Sequence, residues 1–398
     1  MRELIYIAVN GIGLGHARRS HRIGKVMKAA GYNVLFSTYE DSPAERFLKQ
    51  ENWRVLTVPE LSWVPTLDGG IDRPRTALRV FQGAKIVSQH LSFEYSLLKT
   101  LKPKVVLSDM RLSPIMSAEL LNIPRFFLSL FLSMRRAPKN KLKPYARLLA
   151  GFLERVAKRC DKIFFTDFPL PWTIYYYFLP AKTPSNMIFT GPIVDENIER
   201  IISSNDIETA KEQAKENLNL TRFDKVILFV PSGHRASQKF FLENFLSLFP
   251  CFKEMSRNKF VLIQIGSIGK IIRLRENVEI LNWIPNKMDR ILSEYFLASD
   301  IVIGHYGMNK VFDSLAAGAI FAGIVSNEHI EQQGLAKRIT ELKLGFIIQD
   351  FKIDIPQIIQ IVSDNDEYYY RRIRAYNKLM KSYKPLETIR REIENVIS

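Results

Sequence analysis

The stretch YIAVNGIGLGHARRSHRIGKVMKAAGYNVLFST (Tyr6–Thr38) leaves an apolar strand through a glycine-rich turn, enters an amphipathic helix and emerges in a second strand. Ile23, Val26, Met27 and Ala30 recur at helical spacing, and Gly31 is a suitable helix stop. Glycines stand at Gly11, Gly13 and Gly15, but His16 occupies the place where a G-x-G-x-x-G dinucleotide fingerprint has its third glycine. The stretch therefore predicts a parallel strand–helix–strand unit with a ligand-facing glycine loop and an ionisable side chain at the helix start.

The same alternation continues outward in both senses. Short β-branched runs at 3–10, 33–38, 53–58, 104–109, 125–130 and 162–167 are separated by helical patterns, and a second series falls at 225–233, 260–266, 278–283, 300–305, 320–325 and 344–348. Between the series, a Gly191-Pro192 break opens a highly polar connection. The expected fold is α/β with two tandem Rossmann-like domains, at 1–190 and 191–363. Residues 364–398 are predicted to be helical, packing outside the second sheet or crossing back to the first domain.

Composition limits the function classes. The 398 residues, 46% hydrophobic and 25% charged, suit two ordinary globular domains. Two distant cysteines, Cys160 and Cys251, give neither a disulfide framework nor a zinc pattern, which fits a reducing cytoplasm. The N-terminus enters a strand without a signal-peptide pattern, and the richest apolar run, Phe126–Met134, is too short to span a bilayer. The net charge of +16 is lopsided: residues 1–190 hold 29 Lys/Arg against 14 Asp/Glu, and the remainder 28 against 27. Residues 125–162 alone hold 11 basic and 2 acidic residues, a segment suited to nucleic acid, an anionic membrane or plain solvent.

In open parallel sheets ligands bind beyond the C-terminal strand ends, and four of the six histidines, His16, His234, His305 and His329, follow predicted strands. His21 and His90 fall inside helical patterns and read as surface or interhelix residues. The densest signal lies in Asn277–Ile339: Trp283-x-Pro285 after one strand, then His305-x-Gly307-x-Asn309 opening the helix after another, with Asp313 two turns from His305. A helix N-terminus at Gly307 offers N–H groups and a positive dipole end to a diphosphate. Asp313 can accept hydrogen bonds from a ribose, and Trp283 offers a flat face to a base.

These residues, in this order, resemble the donor-binding signature of GT-B glycosyltransferases that use UDP-sugars, both the family 1 UDP-glycosyltransferases and the family 28 peptidoglycan N-acetylglucosaminyltransferase MurG. The match is strong over about 225–350 and looser before it. The resemblance implies a GT-B fold, its two parallel sheets facing across a cleft, with C-terminal helices. It implies that Trp283 stacks on the base, His305 and Asn309 contact the diphosphate with Lys310 beside them, Asp313 holds the ribose, and Gln332 and Gln333 face the donor sugar. Ser232, Gly233 and His234 would form the first loop of the donor domain. Asp313 stands for the usual Glu, Lys310 for a common Ser and Ala336 for the family Asn.

By the same resemblance His16 is the base for the acceptor hydroxyl and Asp109, closing the strand at 104–109, orients it, with Gly13 and Gly15 in the acceptor loop. An imidazole can take a hydroxyl proton near neutrality, and a carboxylate fixes its tautomer. The plain alternatives are a helix cap for each. The expected activity is an inverting transfer of a hexosyl or N-acetylhexosaminyl group from a nucleotide sugar, UDP-linked, to a hydroxyl acceptor, without cofactor or metal. The basic first half points to a lipid-linked or glycan acceptor and to an anionic surface met through 125–162, placing the protein in the cytoplasm or on the inner membrane face. Three rivals remain: a GT-B nucleotide-sugar 2-epimerase; an NAD oxidoreductase, opposed by His16 and by Thr38 where a strand-ending acid belongs; and a nucleic-acid binder, opposed by the Trp283–Gln333 pattern.

Overall fold

A computed structural model describes residues 3–11, 14–59, 88–134, 136, 144–204, 206–230, 260–265, 271–275, 278–283, 289–325, 329–364 and 367–397. The chain forms two compact units. The first takes in the described residues up to Ile193 together with Tyr383–Ser398, and the second is Val194–Ser382.

The first unit is built on a seven-stranded parallel sheet: β1 (Leu4–Val9), β2 (Asn33–Tyr39), β3 (Val55–Val58), β4 (Val105–Asp109), β5 (Arg125–Ser129), β6 (Lys162–Phe165) and β7 (Met187–Phe189), in the order β3-β2-β1-β4-β5-β6-β7. Its helices are α1 (Leu14–Ala29), α2 (Pro43–Gln50), α3 (described from 88 to 101), α4 (Leu112–Leu120) and α5 (Pro144–Ala157). Strand residues alternate between faces. Ile5, Ile7, Val9, Val105 and Leu107 meet Ala17, Ile23 and Met27 of α1, Leu48 of α2, and Ile389 and Ile393 of the last helix of the chain. Tyr6, Ala8, Leu35 and Val106 face the other way, onto Leu98 and Ala118. Gly31 ends α1 with φ +97°, a left-handed conformation that glycine adopts without Cβ strain.

That second face also buries charge. Glu94 of α3 pairs with Arg111, whose guanidinium donates to Ser37 Oγ at 2.7 Å and lies 5.4 Å from the Tyr39 ring centroid. The Tyr6 hydroxyl donates to Glu94 at 2.6 Å, and burial together with that carboxylate pushes the phenol well above its ordinary pKa, so it remains a donor. Glu94 and Arg111 are both buried, so each is tolerable only with the other present.

The second unit carries another seven-stranded sheet. In chain order its elements are α6 (Glu196–Ser204), α7 (Ile207–Asn217), β8 (Lys225–Val230), β9 (Phe260–Ile265), β10 (Ile271–Arg275), β11 (Val278–Trp283), α8 (Asp289–Ala298), β12 (Ile301–His305), α9 (Met308–Ala316), β13 (Ile320–Ile324), α10 (Ile330–Glu341), β14 (Gly345–Ile348), α11 (Phe351–Ser363) and α12 (Glu367–Ser382). The order is β10-β11-β9-β8-β12-β13-β14, parallel except for β10, which pairs antiparallel with β11. β7 and β10 were not expected from the sequence. Both are sheet-edge strands, paired on one side.

The C-terminal residues divide between the units. α12 packs on α9 with Ile373, Tyr376 and Met380 buried, and Asn377 donates to the Ala316 carbonyl at the end of α9. The last helix, α13 (Pro385–Ile397), belongs to the first unit, against α1. Residues 125–162 are likewise split: Phe126, Phe127 and Leu128 of β5 are core, whereas Phe152, Arg155, Lys158 and Arg159 are exposed. Among the described residues no helix is long and apolar enough to cross a membrane.

The Glu94–Arg111 pair gives a direct test of the first unit. Glu94→Ala leaves a buried guanidinium without its counter-charge and should lower the unfolding free energy by about 3–5 kcal/mol. Urea denaturation of the variant against the wild type measures it, and a loss under about 1 kcal/mol would mean that Arg111 finds another partner.

Candidate active site

In each sheet the strand order reverses at one seam, between β1 and β4 in the first unit and between β8 and β12 in the second. Beyond the carboxyl ends of strands at such a seam, the connecting chains diverge to opposite faces and leave a crevice for ligands. His16 and Asp109 stand at the first of these seams. At the second, His305 ends β12 and Asn309, Lys310 and Asp313 follow it, whereas Trp283 ends β11 and Gln332 and Gln333 follow β13.

At the first seam Val9 lies opposite Asp109, and the Asn10 N–H donates to the Asp109 carbonyl at 3.1 Å. The register puts the Asp109 side chain on the face of Val105 and Leu107, under the first turns of α1. There His16, Arg19 and Ser20 follow the i, i+3, i+4 spacing that aligns side chains on one helix face. His16 Nδ1 is 2.7 Å from Asp109 Oδ1. Arg19 donates through Nε to Oδ2 at 2.6 Å and through Nη2 to Oδ1, and Ser20 Oγ donates to Oδ2 at 3.1 Å.

Asp109 is wholly buried while the His16 side chain keeps 25% exposure, so the imidazole is the member of the cluster that a ligand can reach. Burial alone would raise the Asp109 pKa. The charges of Arg19 and then His16, with their hydrogen bonds, outweigh it and bring the carboxyl down to about 2. Neither residue is a simple helix cap: α4 has Arg111 at its N-cap position, and His16 is already inside α1. Gly11 serves packing, because a Cβ there would come within 2.7 Å of the Tyr39 ring. Gly15 is in the first turn of α1, and Gly13 lies outside the described residues.

Arg19 and Ser20 were not among the sequence candidates. Their signal was available as the i+3 and i+4 positions from His16, but a run of Arg-Arg-Ser in an amphipathic helix reads as a solvated face. Of the two histidines read as surface or interhelix residues, His21 of α1 does meet α2, at Phe47, whereas His90 is buried against the sheet. His21 Nδ1 accepts from the Trp53 indole at 2.8 Å, and His90 stacks on Tyr39 with its Nε2 2.7 Å from the Pro59 carbonyl.

At the second seam Gly304 lies opposite Val230, and His305, buried, ends β12. Gly307 is the N-cap of α9 and supplies no side-chain cap to it. Lys310, in the first turn, holds its Nζ 3.5 Å from the Val230 carbonyl, and burial pushes its ammonium down to about 7. Asn309 is partly exposed beside it. Asp313 is buried, and its Oδ1 accepts from the Asp195 N–H at 2.8 Å; Asp195 in turn accepts from Ser293 Oγ at 2.7 Å.

His329 is the N-cap of α10, its Nδ1 accepting from the Gln332 N–H at 3.4 Å, so this histidine does take the capping role. Gln332 is buried and Gln333 partly exposed in the same first turn. Trp283 closes β11 opposite Ile265. Ser232, Gly233 and His234 lie outside the described residues.

No protein-family model matches the chain. An uncharacterized glycosyltransferase of Methanosarcina mazei is 25% identical over 418 residues, covering 99% of this chain and 98% of that protein. One from Methanosarcina acetivorans is 24% identical over 420 residues, covering 100% and 99%. Among solved structures, the glycotransferase of kitacinnamycin superposes with a TM-score of 0.65 at 15% identity, covering 100% of both chains. Acinetobacter baumannii MurG gives 0.60 at 13%, covering 100% and 98%. The spinosyn rhamnosyltransferase SpnG, in complex with thymidine diphosphate, gives 0.62 at 14%, covering 98% and 99%. The fold expected from the motifs is thus the fold observed, that of the GT-B glycosyltransferases.

Proposed function

We propose that the protein is an inverting glycosyltransferase that moves a sugar, hexosyl or N-acetylhexosaminyl, from a UDP-sugar or related nucleotide sugar to a hydroxyl acceptor. The observation that carries the reading is the contact between His16 Nδ1 and a buried, ionised Asp109 at the seam of the first sheet. With Nδ1 engaged, Nε2 is the nitrogen left for an acceptor. The acceptor hydroxyl gives its proton to Nε2 while its oxygen attacks the anomeric carbon from the side opposite the leaving group. The bond from that carbon to the nucleoside diphosphate breaks, the diphosphate keeps the electron pair, and the configuration inverts.

The second unit supplies groups suited to the leaving diphosphate: the N-terminal end of α9 at Gly307, then His305, Asn309 and Lys310. Asp313 spends one oxygen on Asp195, so contact with a ribose falls to its Oδ2. Trp283 is assigned to the base, Gln332 and Gln333 to the sugar, and Ser232, Gly233 and His234 to the loop near the phosphates. The thymidine diphosphate carried by one structural neighbour supports a nucleoside diphosphate as the leaving group. A lipid-linked acceptor is favoured by the exposed Phe152 and Leu120 on α5 and α4, beside Arg155, Lys158 and Arg159. The Arg159–Glu119 contact at 3.5 Å joins the turn after α5 to α4.

Isothermal titration should show UDP or thymidine diphosphate binding well above inorganic pyrophosphate, and equal affinities would overturn the donor assignment. In a mass-spectrometric screen of nucleotide sugars against a lipid extract, His16→Ala should lower turnover by about 100-fold or more with diphosphate affinity kept within about twofold. An active variant would move the base elsewhere.

Lys310 sets a pH dependence. Its folded pKa is lowered to about 7, so it is largely neutral at pH 8. An arriving diphosphate favours the charged form and draws a proton onto it. Binding at pH 8, measured in two buffers of different ionisation enthalpy, should therefore show proton uptake. Lys310→Met should abolish that uptake and weaken binding roughly tenfold. Uptake that survives in the variant would assign the proton to another group.

The acceptor reading is tested with vesicles. Phosphatidylglycerol vesicles should co-float with the protein at low salt and phosphatidylcholine vesicles should not, and Phe152→Asp should reduce the bound fraction. Equal behaviour toward both lipids would remove the membrane from the proposal.

A further inference from the structure

We propose that Arg19 is a positioning residue for the His16–Asp109 pair: by taking both carboxylate oxygens it holds Asp109 ionised and turned so that Oδ1 receives the Nδ1 hydrogen of His16 and Nε2 is left as the base. This rests on the reading of His16 as the base, and it follows from counting donors around Asp109. A buried carboxylate has about four acceptor sites, two on each oxygen. Arg19 Nε and Ser20 Oγ occupy Oδ2, at 2.6 and 3.1 Å. Arg19 Nη2 and His16 Nδ1 occupy Oδ1, the latter at 2.7 Å. The carboxylate is then fully satisfied.

The decisive contact is a third one. Arg19 Nη2 is also 2.8 Å from His16 Nδ1. A guanidinium has donors only. Nη2 carries two hydrogens that diverge by about 120°, whereas Oδ1 and Nδ1 lie close together as seen from it. An N–H aimed at Oδ1 therefore leaves neither aimed at Nδ1; Nδ1 then carries a hydrogen and donates to the same oxygen, and Nε2 keeps the lone pair that a base needs. If the N–H pointed at Nδ1, the imidazole proton would sit on Nε2, and that nitrogen could not take a proton from a hydroxyl. The side-on fork from Nε and Nη2 to the two carboxylate oxygens favours the first arrangement, because two charge-assisted bonds to a buried anion outweigh one to a neutral ring.

Arg19 also sets the charge seen by His16. Among the described residues, the charged groups facing the imidazole are Arg19 of its own helix and Asp109 of β4. The guanidinium offsets part of the field of the carboxylate at the imidazole. Arg19→Gln removes the cation and keeps a hydrogen-bonding side chain. It should make His16 easier to protonate, and the acid limb of the activity profile should move up with it. A residue that merely fills space would leave that limb in place.

The test needs no substrate. Protein labelled with 15N-histidine, with the His16 signals assigned through His16→Gln, reports tautomer and titration by long-range 1H–15N correlation. The wild type should show the Nδ1–H tautomer, and Arg19→Gln should raise the titration midpoint by about one pH unit relative to the wild type. Arg19→Lys, which keeps the charge, should lie nearer the wild type. An Nε2–H tautomer in the wild type overturns the proposal, as does an unshifted midpoint in a folded Arg19→Gln protein. Should that variant fail to fold, Arg19→Met is read in its place: with the cation gone the midpoint should rise likewise, and an unshifted midpoint overturns the proposal. These outcomes are separate from the fate of the base assignment, which falls on an active His16→Ala enzyme.

Discussion

A single buried carboxylate organises the first unit. Asp109 ends the central strand β4 at the seam where the sheet reverses, and three consecutive contact positions of α1 converge on it. An unpaired carboxylate there would be neutral or would cost several kcal/mol. The Arg19 guanidinium, with His16, makes it tolerable and brings its pKa down to about 2, so that it is ionised at any working pH. The same bonds fix the start of α1 over the end of β4, and so the place where His16 meets solvent. The structural requirement and the chemical opportunity are met by one set of contacts.

The two seams handle charge in opposite ways. In the first unit the surroundings hold a carboxylate in its charged form, whereas in the second, burial disfavours the charged form of Lys310. The first arrangement is settled within the protein. The second is relieved by an anion, because a phosphate oxygen near Nζ would lower the cost of the proton on Lys310, which the positive end of α9 otherwise opposes. In the proposed reaction, binding a dianionic donor and then holding its leaving group needs this asymmetry. The acceptor side needs a base of fixed orientation, and the donor side needs positive potential that rises when the phosphate arrives.

Much of this was legible in the sequence because it depends on local pattern. Strands buried on both faces read as continuous apolar runs, and residues placed just after them fall at the ligand edge of the sheet without further information. His16 and His305 were singled out in that way, Asp313 by its helical spacing from His305, and Asp109 through the resemblance to GT-B glycosyltransferases. What was missed depends on partners distant in sequence. Arg19 and Ser20 acquire their meaning only when the β1–β4 register brings Asp109 beneath them, 90 and 89 residues away. Glu94 and Arg111 are charged residues in and before helices, which read as solvated until the sheet places each against the other. Asp313 was read as a ligand contact, and its bond to the Asp195 N–H could not be foreseen from helical spacing. The division of the C-terminal helices is of the same kind: Ile389 and Ile393 announce an apolar face but not which core it fills.

The basic character of the first half can also be placed more closely. Arg19 and Arg111 are buried and matched by Asp109 and Glu94, so these four residues cancel and leave the excess of the first half to the others. Part of that excess is on the exposed face of α5, while the apolar residues of β5 are consumed by the core. An apolar surface for an acceptor must then come from a few side chains such as Phe152 and Leu120, which are too few to hold a membrane unaided. Attraction to an anionic surface would have to come mainly from Arg155, Lys158, Arg159 and their neighbours, at about 1 kcal/mol each near the lipid. Such attachment weakens with salt on the scale of the Debye length.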